Sequence, residues 1–527
     1  MARPWLKHVP EGNPKEIDIP VISVPQLFAE SVHKYSNHTA ITFFNDTYSY
    51  KQLDSMIKNV ARSLFNLGVN KGDRVALMLP NCPQYPISYY AALICGATVV
   101  QINPMYKSNE LLHVINDSEA EVLIVLDQLL PAVEEIKGST FLTTIIPVSF
   151  ESGCKFNDLL KDHGLPMPNV SINPKEDIAV LQYTGGTTGR SKGAMLTHYN
   201  LVANILQSYG TSQCRTKLGY ERVLTISPLF HVYGMTSCMN LTFYIGGNVI
   251  LVPRFEVEQT VKVIAQTKPT IFPGVPTMYI ALLNYYKENP FNLSCLRTCT
   301  SGSAPLPIEV LNQFNETSGT KVAEGFGLSE ASPVTHRNPI KGLQKPGSIG
   351  IPIPNTDAKI VDLLTGDKTL PIGEVGELVV SGPQIMKGYW KMPEETKQVL
   401  RDGWLYTGDL AKMDEDGFFY IVGRKKEMII ASGYNVYPIE VEDVIYTHPK
   451  VFEAAVIGVP DQYRSETVKA VVVLKGNEQL SEEELIQFCR ERLAAYKVPR
   501  FIEFVSELPK TAVGKISKRM LKEQLHL

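Results

Sequence analysis

The feature that most constrains this chain is a set of short apolar runs spaced among helical stretches. RVALML (74–79), TVVQIN (98–103), EVLIVL (121–126) and IAVLQY (178–183) have the length and continuity of strands buried on both faces. FAESVHKY and SMIKNVARSLFNLG carry their apolar residues at helical spacing instead. Strands alternating with helices imply α/β layers built on mostly parallel sheet. The pattern changes near residue 350, where AKIVDL, GELVVSG and GFFYIVG are short β segments broken by Gly and Pro. It changes again after Gly423, where EAAVIGVP and KAVVVLKG accompany a helical SEEELIQFCRERLAAY. The reading is an α/β chain: a large N-terminal domain of α/β layers over 1–425, with a β-rich subdomain over about 350–423, and a small mobile α+β C-terminal domain over 426–527.

The run IAVLQY feeds YTGGTTGRSKG (183–193), a stretch of glycines and hydroxyls closed by a lysine. It is not the G-x-x-x-x-G-K-[ST] loop of P-loop enzymes. Gly186 stands six residues before Lys192, but Ser191 occupies the second glycine position and Gly193 replaces the Ser or Thr. The physical logic of a phosphate cradle survives. Gly185, Gly186 and Gly189 can expose successive backbone N–H groups, Thr184, Thr187, Thr188 and Ser191 add hydroxyls, and Lys192 adds a mobile charge. Taken alone, the same residues also suit a flexible surface turn.

Composition narrows the function classes. With 527 residues, 44% hydrophobic, 20% charged and a net charge of -3, the chain has ample core and no basic stripe for nucleic acid. The eight cysteines are scattered without a CxxC pair, which points to a reducing cytoplasm and away from thiolate metal sites. The N-terminus lacks an apolar signal region, and Tyr89 to Val100, broken by Gly96, falls short of the ~20 residues of a membrane span. Any membrane contact is then peripheral, at the inner face. Oligomeric state stays open, a homodimer included.

Four more stretches belong with the glycine loop: PLFHVYGM (228–235), GFGLSEASPVTH (325–336), WLYTGDLAKMDEDGFFYIVGRKKEMIIASGYNVYP (404–438) and LPKTAVGKISKR (508–519). In this order and at these separations the five resemble the adenylate-forming superfamily of acyl-CoA synthetases, luciferases and peptide-synthetase adenylation domains. Within it, the wording GLSEASPVTH, PLFHVYGM and GYNVYP is most similar to bacterial long-chain fatty acid CoA ligases.

The resemblance implies a chemistry. A carboxylate attacks the α-phosphate of ATP to give acyl-AMP and diphosphate, and the CoA thiol then takes the acyl group and releases AMP. The first step gathers anions, so positive charge and hydrogen-bond donors must surround the carboxylate and phosphates. By the same resemblance Lys192 and the loop Thr184, Gly185, Gly186, Thr187, Thr188 and Gly189 hold the outer phosphates. Glu330 is the magnesium ligand, a hard carboxylate suited to Mg2+, and Ser329 stands where relatives carry Thr. Gly302, Ser303 and Ala304 line the adenine edge, with Gly325, Phe326 and Gly327 beside it; Phe326 replaces a frequent Tyr and keeps the ring for stacking. Asp409 would accept the ribose hydroxyls with its two oxygens, assisted by Arg424. Lys515 would meet the carboxylate and α-phosphate during adenylation. Lys426 is the hinge. Ser432, Gly433 and Tyr434 would line the pantetheine tunnel for CoA, and His231, Val232, Tyr233, Gly234 and Met235 the acyl pocket.

Other outcomes on the same scaffold are delivery of acyl-AMP to a carrier protein, ligation of an aromatic acid, and luciferase-like oxidation of the adenylate. A non-catalytic nucleotide binder is disfavoured, because Glu330, Asp409, Arg424 and Lys515 are all present.

Overall fold

The computed structural model describes residues 3–150, 155–184, 191–431, 434–461, 465–476, 478–511 and 515–525. The chain forms two compact units, Met1–Asp357 with Ser381–Leu405, and Ala358–Val380 with Tyr406–Leu527.

In the first unit the four runs read from the sequence are the strands Arg74–Met78, Thr98–Gln101, Val122–Leu126 and Ile178–Thr184. Among the described residues they belong to a seven-stranded sheet, completed by Thr144–Val148, Lys192–Thr197 and Gly388–Tyr389. The pairings among the first five strands are parallel, and the last two strands add on antiparallel. Val75, Ala76, Leu77 and Met78 are all fully buried, so alternate side chains enter core on both faces and the run carries no polar alternation.

The helices start where side chains can satisfy their first N–H groups. Ser23 with Gln26, Ser49 with Gln52 and Thr197 with Asn200 form capping boxes for Val24–Tyr35, Tyr50–Asn66 and His198–Gly210. The first contains the expected stretch FAESVHKY whole, and the second contains SMIKNVARSLFNLG as far as Asn66, with Leu67 as its C-cap.

A nine-stranded sheet in the same unit runs in the order 351–352, 334–337, 322–327, 298–301, 271–274, 222–225, 248–251, 39–43 and 46–49. Its core gathers Phe272, Tyr279 and Phe314, with the Tyr279 and Phe314 rings edge to face at 4.7 Å. The Tyr279 hydroxyl donates to the carbonyls of Phe272 and Thr300 at 3.1 and 2.8 Å. A buried phenol thus bridges two parallel strands, Ile271–Gly274 and Thr298–Ser301, the second of which leads into residues 302–304.

The expected β segments are the strands Asp357–Val361, Gly376–Ser381 and Phe419–Arg424, joined by Trp404–Met413, and apart from Asp357, Ser381, Trp404 and Leu405 they fall in the second unit. A second sheet pairs Tyr434–Val436, Ile429–Ala431, Ser465–Leu474 and Val451–Asp461, with Phe501–Phe504 parallel to Ser465–Leu474. Helices Pro438–Tyr446 and Glu482–Arg490 cover one apolar cluster on this sheet. The helix expected to run through Tyr496 stops at Arg490. The N–H groups of Arg492 and Leu493 fold back onto the Cys489 carbonyl, turning the chain toward Pro499. The β-rich stretch and the C-terminal strands therefore fall in one compact unit by their contacts, whereas the expected division for movement is at residue 426.

No helix among the described residues is long and apolar enough to cross a membrane.

Candidate active site

Residues 185–190, with the expected Gly185, Gly186, Thr187, Thr188 and Gly189, lie outside the described residues. What frames them is clear. Ile178–Thr184 pairs antiparallel with Lys192–Thr197, in the register Thr184 to Lys192. The strand expected before the loop is present as Ile178–Thr184. The chain resumes after it as a second strand and not as a helix, so no helix dipole stands behind Lys192. Lys192 instead reaches over the face of Tyr389, with its Nζ 5.2 Å from the ring centroid.

Glu330 sits in a short turn, Ser329–Ala331, after the strand Val322–Gly327. Its carbonyl accepts from Met386 N–H at 2.8 Å, and its Oε1 accepts from the Tyr389 hydroxyl at 2.7 Å. Burial beside this carboxylate pushes the Tyr389 phenol well up, so the hydroxyl keeps its proton and donates. The second carboxylate oxygen takes no hydrogen bond from the described residues. That leaves a hard oxygen donor for Mg2+, an ion that commonly takes one or two protein carboxylates and completes its shell with water and substrate phosphate. No group of three or more His, Cys, Asp or Glu among the described residues could hold a metal ion.

Three of the expected nucleotide and acyl segments converge in this unit. A Cβ built on Gly302 would lie 3.7 Å from the Tyr233 ring and 3.8 Å from the Gly325 carbonyl. Ser303, with φ of +70°, holds the left-handed backbone that turns the segment. Glu324, next to Gly325, accepts from Leu306 and Gly347 N–H groups at 3.4 and 3.3 Å, and burial pushes its carboxyl up to about 7 against those donors. Phe326 lies edge-on to His336 at 6.2 Å on the adjacent strand. Gly327 has no room for a side chain, since a Cβ there would stand 2.3 Å from the Pro333 carbonyl oxygen.

The acyl-side segment opens a rare conformation. Residues Tyr233–Asn240 form a π-helix, a form often found at functional sites. Gly234 packs so closely that an added Cβ would meet the Pro228 carbonyl oxygen at 2.1 Å. His231 Nδ1 accepts from Tyr233 N–H at 3.3 Å, and the Tyr233 hydroxyl lies 3.2 Å from Thr300 Oγ1. Val232, Gly234 and Met235 are buried, and the Met235 sulfur accepts from Gln101 Nε2 at 3.0 Å.

In the second unit Asp409 and Arg424 are directly opposed on neighbouring antiparallel strands, so the pleat sets their separation. Arg424 Nε donates to Asp409 Oδ1 at 3.1 Å, and Asp409 is buried to 3% exposure. Lys515 lies within electrostatic reach of the same pair. Burial first and the Arg424 guanidinium second push its ammonium down to about 8, while Asp409 and Glu427 pull the other way. Thr511 holds the backbone at Lys515: Thr511 N–H donates to the Lys515 carbonyl at 2.8 Å, and Lys515 N–H to Thr511 Oγ1 at 3.2 Å. Asp409, Arg424 and Lys515, taken from distant parts of the sequence, thus form one cluster.

Lys426 is exposed, in a turn where Glu427 and Met428 N–H groups both reach the Arg424 carbonyl. Tyr434 is 59% exposed and stacks on Tyr496 at 4.7 Å, while Ser432 and Gly433 lie outside the described residues. Tyr389 is the residue that sequence reading missed. The signal was available in MKGYWKMPEET (386–396), an aromatic pair after glycine, but such a pair in a loop carries no chemistry of its own.

Residues 28–390 match the family described as AMP-binding enzyme, and residues 440–515 the family described as AMP-binding enzyme C-terminal domain. The chain is 46% identical to a long-chain-fatty-acid–CoA ligase of Bacillus subtilis (strain 168), over 99% of this chain and 98% of that one. It is 38% identical to a feruloyl-CoA synthase of an Amycolatopsis species, over 91% and 94%. Among solved structures, ATP-bound MatB from Rhodopseudomonas palustris superposes with a TM-score of 0.88 at 32% identity, covering 95% and 99% of the two chains. The anthranilate CoA ligase AuaEII in complex with anthranoyl-AMP gives 0.87 at 32% identity, covering 96% and 98%.

Proposed function

The chain belongs to the AMP-binding enzyme family, and from that premise we propose that it is an AMP-forming acid–thiol ligase that joins a medium- to long-chain fatty acid to coenzyme A through an acyl-AMP intermediate. The observation that carries the substrate class is the 46% identity, over 99% of the chain, to a ligase named for long-chain fatty acids.

The residues fit the two half-reactions. In the first, a carboxylate oxygen of the acid attacks the α-phosphorus of ATP and diphosphate departs. Lys192 would neutralise the outer phosphates, and magnesium held at Glu330 would add cationic charge to the same oxygens when bound. Lys515 would donate to the attacking carboxylate and the α-phosphate, where charge is redistributed in the transition state. Asp409 offers two oxygens to the ribose diol, and the Arg424 partner keeps that carboxylate oriented. Gly302, Ser303, Ala304 and the 325–327 segment present backbone groups and the Phe326 ring to adenine. In the second half-reaction the thiol sulfur attacks the acyl carbon, its proton is lost to solvent or base, and AMP leaves. Movement of residues 426–527 about Lys426 would withdraw Lys515 and bring Ser432, Gly433 and Tyr434 to the pantetheine arm. The compartment that goes with this reading is the cytoplasm.

A second reading, ligation of an aromatic acid, is favoured by the 38% identity to a feruloyl-CoA synthase. Substrate profiling separates the two. With ATP, Mg2+ and CoA, palmitate and myristate should give kcat/KM at least about 100-fold above acetate, benzoate or ferulate, a difference of about 2.7 kcal/mol in transition-state binding. A highest kcat/KM with acetate or ferulate, measured by diphosphate release, would overturn the fatty-acid assignment.

A further inference from the structure

Tyr389 touches two residues that the proposed reaction needs and that lie far apart in the sequence. Its ring face carries the Lys192 ammonium at 5.2 Å, and its hydroxyl donates to Glu330 Oε1 at 2.7 Å. Among the described residues neither Lys192 nor Glu330 has an ion-pair partner, and the phenol contacts both. A lysine and a glutamate in reach of each other would otherwise tend to pair in the absence of nucleotide, and a closed pair presents neither charge to a triphosphate.

The backbone around Tyr389 is tied on both sides. Met386 N–H donates to the Glu330 carbonyl at 2.8 Å, Lys387 N–H to Met195 at 2.9 Å, and Trp390 N–H to Gly193 at 2.8 Å. Gly388 and Tyr389 pair with Met195 and Ala194 on the strand that begins at Lys192. The Tyr389 N–H donates to Thr396 Oγ1 at 2.9 Å, and the Trp390 indole donates to the Asp117 carbonyl at 2.9 Å. This segment therefore stitches the Lys192 strand to the Glu330 turn, and Tyr389 is its one side chain that reaches both charged groups. Gly388, with φ of +148°, makes the closeness possible, since a Cβ there would stand 2.8 Å from Thr396 Cγ2.

We propose that Tyr389 is a positioning residue that holds Lys192 and Glu330 apart and aimed at a magnesium triphosphate, so that it serves adenylation and not thioester formation. The inference rests on the reading given under Proposed function. Its asymmetry follows from chemistry: the second half-reaction starts from acyl-AMP, after diphosphate has gone, and needs neither outer-phosphate contact.

The test compares wild type, Tyr389→Phe and Tyr389→Leu in the full chain, with a thermal melt of each. Tyr389→Phe keeps the ring under Lys192 and removes the hydrogen bond to Glu330. It should slow single-turnover palmitoyl-AMP formation about tenfold and raise the Mg2+ concentration needed for half-maximal rate, while Tyr389→Leu should slow it about 100-fold. Calorimetric titration with ATP, in the presence and absence of Mg2+ and without acid, should show weaker binding of the magnesium complex alone. Thioester formation from supplied palmitoyl-AMP and CoA in EDTA should stay within about twofold of wild type. The inference is overturned if Tyr389→Phe adenylates and binds magnesium ATP as wild type does, or if both half-reactions fall equally in a folded variant. The calorimetric arm uses no acid, so a wild-type protein that failed to adenylate palmitate would sink the proposed substrate and leave the Tyr389 comparison standing.

Discussion

Lys515→Ala is expected to lose palmitoyl-AMP formation by about two to three decades, or ~3–4 kcal/mol, while still converting supplied palmitoyl-AMP and CoA to thioester at close to the wild-type rate. The argument is electrostatic. An ammonium placed where charge moves from carboxylate to phosphate stabilises the first transition state, and its removal leaves no donor in its place. The structure adds a pH signature. Lys515 is pushed down to about 8, so its charged form is present below that value and is lost as pH rises through it. The kcat/KM for adenylation should accordingly fall on the alkaline side with an apparent pKa near 8. Lys515→Arg keeps a guanidinium charged throughout that range and should remove the limb, at whatever lower rate its geometry permits. A limb that persists unchanged in Lys515→Arg belongs to another group. Equal loss of both half-reactions in folded Lys515→Ala would assign the lysine a structural role.

The second large effect is expected at Asp409. Its side chain is buried, it is opposed to Arg424 across the sheet, and it is proposed to receive the ribose diol. Asp409→Asn keeps the shape but replaces one acceptor oxygen with a donor, leaving Arg424 to compete with the sugar for the other. The expected result is a fall of about 100-fold in kcat/KM for ATP, carried mainly by KM. Deoxy-ATP analogues sharpen the test. Wild type should discriminate strongly against a nucleotide lacking a ribose hydroxyl, because a buried acceptor is then left unpaired, and Asp409→Asn should discriminate far less. Undiminished discrimination in Asp409→Asn would show that the ribose is read elsewhere.

Much of this was legible from residues alone, and the reasons are physical. The strands near 75, 99, 123 and 180 stand out because burial on both faces demands unbroken apolar runs. Glu330, Asp409 and Lys515 stand out only through the resemblance of their stretches to the adenylate-forming superfamily; by residue chemistry alone an aspartate after glycine reads as a turn residue and a lysine near a basic terminus as a solvated charge. Three things were hidden. The partner of Lys192 and Glu330 is a tyrosine on a strand of two residues, too short to leave any periodic signal. The cluster of Asp409, Arg424 and Lys515 depends on a cross-strand register and on a lysine roughly one hundred residues later in the chain, a pairing that has no local pattern. The π-helix at Tyr233–Asn240 and the close packing of Gly234 on the Pro228 carbonyl are features of the folded backbone with no local sequence pattern. Local sequence also misjudged an end: the helix starting at Glu482 stops at Arg490, where the turn toward Pro499 competes with a pattern that still looks helical.

The account's central claim is that this chain activates its acid at the α-phosphorus of ATP and then passes the acyl group to a thiol. Following the oxygen atoms tests it most directly. Palmitate labelled with heavy oxygen at both carboxylate positions is incubated with the protein, ATP, Mg2+ and CoA, and the products are weighed by mass spectrometry. Attack of the carboxylate on the α-phosphorus followed by cleavage of the acyl–oxygen bond predicts AMP carrying one labelled oxygen, unlabelled diphosphate, and thioester retaining the other. Label appearing in inorganic phosphate alongside ADP, or unlabelled AMP, would mean that the acid is activated by another route and would contradict the account.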